Sequence, residues 1–340
     1  MTFLAVAFAG GIQAAAPEDR AAEDIVAASI DEAEGPDVAG LEERLRMDPH
    51  DREARVQLID HYRSTRWRDE DSARRHAALV VWAVEHTPRD SLLGTPDGYL
   101  YPHRSPDAYA RAKGLWLAHL ERMPDDMTLL GNAAAFFGLA DKDLAVSLLK
   151  TAKALEPSNA EWSFRLGHQY RLGAGAATAP ADDTNLVLAA AEFERAYEIG
   201  AGCAERNDTY LVEAMRATFA IGRHADARAY AELAMGSSCE YCDAHHQANV
   251  VLGRIALAEG DVATAREHLL AAGRVEGSPV LGSFGPNMAL ARDLLQHGER
   301  EAVLAYFDLC SHFWDSDKLA DWTVLVRAGR MPDFGGNLVY

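Results

Sequence analysis

Apolar residues recur along most of this chain at helical intervals, broken at regular places by glycine. The stretch VLGRIALAEGDVATAREHLLAAG, from Val251 to Gly273, is the clearest case. Leu252 and Ala256, then Ala265, Leu269 and Ala272, fall three or four residues apart and so share one side of a helix. Gly260 stands between the two groups, where it ends the first helix and starts a turn. The prediction is an antiparallel pair of helices. Small residues at Gly253, Ala265 and Ala272 let the two backbones come close, and larger residues fill the space between them.

The same grid fits elsewhere. Leu130–Gly131 leads to Ala145, Leu149, Ala152 and a terminating Pro157. Leu166, Gly167 and Tyr170 are followed by Ala189, Phe193 and Ala196. Gly222 precedes Ala227, Ala231 and Ala234, and Leu290–Ala291 precedes Gly298, Phe307 and Cys310. Weaker copies lie around Leu58 to Tyr62 and Ala112 to Pro124. Repetition over residues 38–310 decides the fold class.

The unit resembles the tetratricopeptide repeat (TPR). That resemblance implies an all-α, right-handed α-solenoid of about seven helical hairpins. Residues 311–340, with Trp314, Trp322 and the tail PDFGGNLVY, are expected to form a C-terminal cap. The chain departs from the family in lacking tryptophan at the fourth repeat position, and tyrosine at the eleventh survives only at Tyr62 and Tyr170. The stretches LGNAAAFF, GSPVLGSFGPNMALA and the tail also look like a group of bacterial TPR proteins without an assigned activity, a likeness that supports the fold alone. Two insertions interrupt the period. Residues 173–185 are a low-complexity Ala/Gly/Pro loop, whereas 87–107 carry Tyr99, Tyr101 and His103 and are expected to pack.

Composition narrows the functions. The 340 residues hold 52 acidic and 33 basic side chains, a net charge of −19, with no basic block to meet nucleic-acid phosphates. No apolar run reaches the roughly 20 residues of a bilayer span. Residues 1–16, MTFLAVAFAGGIQAAA, are uncharged and apolar and end in alanines, which is the pattern of a cleaved signal peptide without its usual leading Lys or Arg. The expectation is a periplasmic or secreted protein, with a cytoplasmic one as the alternative, and 17–37 as an N-terminal helix or linker.

Candidate chemistry centres on CEYCDAHH, residues 239–246. On the grid, Cys239 and Cys242 fall in a loop between hairpins, and Cys203 falls in the equivalent loop one repeat earlier. Three readings stay open. Cys203 pairs with Cys239 or Cys242 in a disulfide, the thiols are inert, or Cys239, Cys242, His245 and His246 hold zinc. No nucleophile motif, phosphate loop or spaced carboxylate pair points to an enzyme, and the runner-up is a metal-dependent enzyme or metal-binding protein with a Cys/His site near residues 239–246.

The ninth position of each repeat supplies a second candidate. The TPR resemblance turns this position towards the concave groove. It is occupied by Asn132, His168, Arg216, Arg254 and Arg292, the last three at two equal intervals of 38 residues. The expectation is a ladder of guanidinium groups that takes an extended acidic or C-terminal peptide. The function expected is an exported protein–protein interaction module without a cofactor.

Overall fold

The computed structural model describes residues 37–174, 183–200, 207–236 and 243–338. The signal-peptide segment, Cys203, Cys239, Cys242 and most of the 173–185 insertion lie outside the described residues. Regular structure among the described residues is helical throughout.

The helices are α1 (Val38–Met47), α2 (Arg52–Thr65), α3 (Glu70–His86), α4 (Pro106–Arg122), α5 (Met127–Phe137), α6 (Lys142–Leu155), α7 (Ala160–Gly173) and α8 (Thr184–Gly200). They continue as α9 (Asn207–Ala220), α10 (His224–Met235), α11 (Ala244–Ala258), α12 (Val262–Gly273), α13 (Pro279–Phe284), α14 (Ala289–Gln296), α15 (Arg300–Cys310) and α16 (Asp317–Arg327).

Acidic and amide side chains start many of them. Asp37, Asp51, Asp126 and Asp261 each accept a hydrogen bond from the backbone N–H three residues on, satisfying a donor that the first helical turn leaves open. The stops are equally local. Gly222, Gly260 and Gly298 follow α9, α11 and α14 with φ of 78°, 86° and 84°. After each, the next residue's N–H returns to a carbonyl five residues back, Arg223 to Thr218, Asp261 to Ala256 and Glu299 to Leu294. That bond closes a left-handed helix end, a conformation that a side chain at the glycine would strain.

The chain divides into two compact units after Val80. In the first, α1 packs on α2 around Leu41, Ala54, Leu58 and Tyr62. In the second, consecutive helices pair as α5–α6, α7–α8, α9–α10, α11–α12 and α14–α15. Successive pairs stack, with α9 against α11, α11 against α14 and α12 against α15. The grid's small residues are what allow this closeness. Ala227, Ala231, Ala234, Ala265 and Ala272 have no exposed surface. A Cβ on Gly253 would lie 2.3 Å from the Leu290 side chain, and one on Gly167 would lie 2.8 Å from the Phe193 ring.

The 87–107 insertion packs as two short 3₁₀ turns, Ser91–Gly94 and Pro96–Gly98, with Leu92, Leu93 and Leu100 buried. At the other end, Trp314 and Trp322 lie 5.7 Å apart, and Phe334 stands 5.0 Å from Trp322. The tail is tied back through Asn337. Asn337 Nδ2 donates to the carbonyls of Phe284 (2.9 Å) and Pro286 (3.1 Å), and Asn337 O accepts from Met288 N–H (2.7 Å). Cys310 is a buried packing residue here, and burial pushes its thiol far up, out of reach of thiolate chemistry.

Candidate functional site

A cavity of about 410 Å³ opens in the second unit, walled by α7, α8, α9, α11 and the start of α14. Its floor is apolar, including Phe193, Phe219, Val250 and Val251, and Leu338 of the tail forms part of the wall. Arg171, Arg216 and Arg254 are the charged residues that line it. The 38-residue repeat explains two of them. It sets Arg216 on α9 and Arg254 on α11 at the same place on stacked first helices.

Each guanidinium is held by a carboxylate, and those of Arg254 and Arg171 also by a ring. Arg254 Nε lies 2.7 Å from Asp293 Oδ2, and its guanidinium sits 4.7 Å from the centre of the Phe219 ring. Arg171 pairs with Glu213 and stands 5.4 Å from the Phe193 ring. Arg216 Nη1 is a looser 3.5 Å from the same Glu213. Arg292 takes the other oxygen of Asp293 at 2.7 Å. Glu213 thus serves Arg171 and Arg216, and Asp293 serves Arg254 and Arg292. A ring face beside a cation adds attraction and fixes the plane of the guanidinium.

The five residues of the expected ladder have separate fates. Arg216 and Arg254 line the cavity. Arg292 is not among its lining residues and is turned to Asp293. His168 is packed against Phe164 and Phe193, at ring-centre distances of 4.4 Å and 5.0 Å. Burial, reinforced by the Arg171 charge, holds its pKa down to about 4. Its Nδ1 accepts from Arg171 Nη2 at 2.7 Å, so it is a neutral positioning group and not a rung of charge. Asn132 is in another place altogether. It is buried, and its Nδ2 donates to the carbonyls of Pro88 and Asp90, both at 3.0 Å, which pins the 87–107 insertion to α5.

Arg171 is the cation that the ninth-position pattern misses. It sits three residues after His168, one helical turn further on α7, so the neighbouring i+3 position was the available signal.

The His245–His246 pair opens α11, as its spacing predicts, but His246 is not poised for a metal. It is fully buried, and its Nδ1 is 2.9 Å from Ala272 O. Its Nε2 accepts from Asn287 N–H at 3.0 Å. Both ring nitrogens are thus committed, and burial lowers the pKa so that the ring stays neutral. Asn287 continues this bridge, donating from Nδ2 to Gln247 Oε1 at 3.2 Å and accepting at its carbonyl from Tyr306 Oη at 2.9 Å. The bridge joins α11, α12, α15 and the residues leading into α14, and its Gln247 and Asn287 line the cavity. Among the described residues no group of three or more His, Cys, Asp or Glu is placed to hold a metal ion, and Cys239 and Cys242 lie outside them.

Among the described residues no helix is long and apolar enough to cross a membrane. No family model matches the chain, and no curated protein sequence matches it. Among solved structures it is similar to PilW, a widely conserved type IV pilus biogenesis factor, with a TM-score of 0.41 and 17% identity over 70% of this chain and 91% of that one.

Proposed function

We propose that the second unit is a protein-interaction module whose cavity takes an acidic segment of a partner protein. The observation that carries this reading is the set Arg171, Arg216 and Arg254 over an apolar floor, in a chain of net charge −19. A protein this acidic repels acidic partners at long range, so a cluster of three guanidiniums marks the place where one can dock.

Aspartate or glutamate side chains of the ligand would replace or share the contacts that Glu213 and Asp293 now make. Those two carboxylates keep the guanidiniums extended before binding, which lowers the ordering cost on association. Each charge-assisted hydrogen bond is worth about 1.5–3 kcal/mol, so three approach the roughly 8 kcal/mol of a micromolar complex. Apolar side chains of the ligand would meet Phe193, Phe219, Val250 and Val251, giving the segment a direction and a register.

The test is fluorescence anisotropy with labelled ten-residue peptides containing Glu and Leu, beside the same peptides with Glu replaced by Gln. Binding confined to the Glu series, weakened by salt and lost in the Arg171→Ala/Arg216→Ala/Arg254→Ala protein, supports the reading. Equal binding of both series, or full binding by the triple variant with its helical circular dichroism intact, removes it.

A further inference from the structure

The guanidiniums of the cavity stand on different helices, and their separation limits what can bridge them. Arg216 and Glu213 lie on the same helix, α9, one turn apart, so the Arg216 guanidinium stays over α9. The Arg254 guanidinium is bounded on both sides. It lies 4.7 Å from the centre of the Phe219 ring of α9, and its Nε is 2.7 Å from Asp293 Oδ2 of α14. Those two contacts keep it over its own helix, α11. The two helices pack directly on each other. Packed helix axes lie about 8–10 Å apart, so the two guanidiniums are separated by a distance of that order. Arg171 reaches Glu213 from α7 and joins Arg216 at the same end.

Backbone geometry decides which ligand sets two acidic side chains that far apart on one side. In a β-strand, acids two residues apart lie about 6.6–6.8 Å from each other and acids four apart about 13 Å. Those three apart point to opposite faces. In an α-helix, acids three or four apart rise by only about 4.5–6 Å, and a same-face span of about 10 Å takes seven residues. A free segment of two turns forms poorly in water. The polyproline II helix repeats every three residues with a rise of about 3.1 Å each, so acids at i and i+3 share one side about 9.3 Å apart. That backbone is already populated in free chains and has no internal hydrogen bonds to lose.

We propose that the ligand of this cavity is a proline-rich acidic segment in the polyproline II conformation, with Glu or Asp at i and i+3. One acid meets the Arg171–Arg216 end and the other meets Arg254. The residues between them lie on Phe219, as proline rings do in aromatic-lined grooves. The inference rests on the acidic-segment reading and adds to it a spacing and a backbone.

Fluorescence anisotropy of the full chain with labelled, end-blocked proline peptides tests it. Each peptide carries two Glu separated by one, two or three prolines, so all three have the same charge and differ only in spacing. The i, i+3 peptide should bind about tenfold or more tighter than the other two, because each of those loses a charge-assisted contact. Replacing its prolines by glycine should weaken it about threefold or more, since a flexible chain pays for ordering. In the Arg254→Ala protein the three spacings should fall within about twofold of one another, because one end of the bridge is gone. General electrostatic attraction would leave their ratio as it was. Equal binding of the three spacings to the parent protein overturns the proposal. So does a spacing preference that survives Arg254→Ala, or a glycine peptide as tight as the proline one. Tighter binding by an alanine-rich peptide with Glu at i and i+7 would make the ligand a helix, and also overturns it. Each of these outcomes leaves the acidic-segment reading standing. Binding by none of the Glu peptides, or equal binding by their Gln counterparts, removes both.

Discussion

Asn132 on α5 and Arg254 on α11 occupy the same position of the repeat, yet one is a structural clamp and the other part of a binding wall. Around Asn132 the chain inserts residues 87–107, whose Leu92, Leu93 and Leu100 fold down and bring two backbone carbonyls to the amide. Around Arg254 the neighbouring first helices α9 and α14 leave open space, and the guanidinium is braced by Phe219 and Asp293. Repeat position sets which way a side chain points. Whether it meets protein or solvent depends on what the rest of the chain puts in front of it.

The most disruptive way to probe this contrast is to remove the clamp. Asn132→Ala takes a donor from the part-buried carbonyls of Pro88 and Asp90, the second of which keeps Leu93 N–H, and the expected loss of unfolding free energy is about 2–3 kcal/mol. Urea denaturation reads the loss, and limited proteolysis should find the 87–107 segment opened. Acidic-peptide binding at the arginine cavity should be unchanged. A stability loss under about 0.5 kcal/mol would mean that the insertion is held by its own leucines alone.

Arg254→Ala should behave in the opposite way. It is expected to weaken acidic-peptide binding by about 1.5–3 kcal/mol in anisotropy titrations while lowering stability by less than about 1 kcal/mol. Arg254→Lys should also weaken binding, because an ammonium is a point charge without the planar fork that lies against the Phe219 ring and meets a carboxylate with two N–H groups. Equal effects of Arg254→Ala on binding and on folding would erase the distinction from Asn132.

A smaller effect separates the repeat's geometry from both. Gly260→Ala places a Cβ at φ 86° with no neighbouring atom within 4 Å, so only backbone strain opposes it. The expected cost is about 1 kcal/mol in urea denaturation, with binding untouched.

A signal of a different kind is in pH. The pKa of His168 falls from 6.5 to about 4 on folding, so the unfolded chain takes up its proton first as pH drops. The stability tied to its neutral form is complete above pH 6.5 and is lost progressively down to about pH 4. Relative to the parent, His168→Gln should therefore show a shallower decline of stability across that window. Parallel pH curves for the two proteins would mean that His168 titrates alike in the folded and unfolded chain.

Cysteine chemistry illustrates a different limit. The spacing of Cys203, Cys239 and Cys242 brings together residue types that can form a disulfide or bind zinc, and spacing alone does not choose between them. His246 shows why. The sequence places a histidine at the start of a helix, but only packing delivers Ala272 O and Asn287 N–H to its two nitrogens. These groups lie 26 and 41 residues away along the chain.

What the amino-acid sequence determined by itself is the set of local features. Glycine must end α9, α11 and α14 because a positive φ strains any other residue. Aspartate must begin several helices because their first N–H groups need an acceptor. Alanine and glycine must recur at the grid positions because paired helices lie too close for anything larger. All of these constraints act within one hairpin or between neighbours, so they are written as short-range periodicity. Only the tertiary structure decided that Arg171 joins Arg216 and Arg254, that Arg292 turns to Asp293, and that Asn132 closes on an insertion. Those outcomes depend on carboxylates, rings and loops supplied by other helices, and a repeat period carries no record of them.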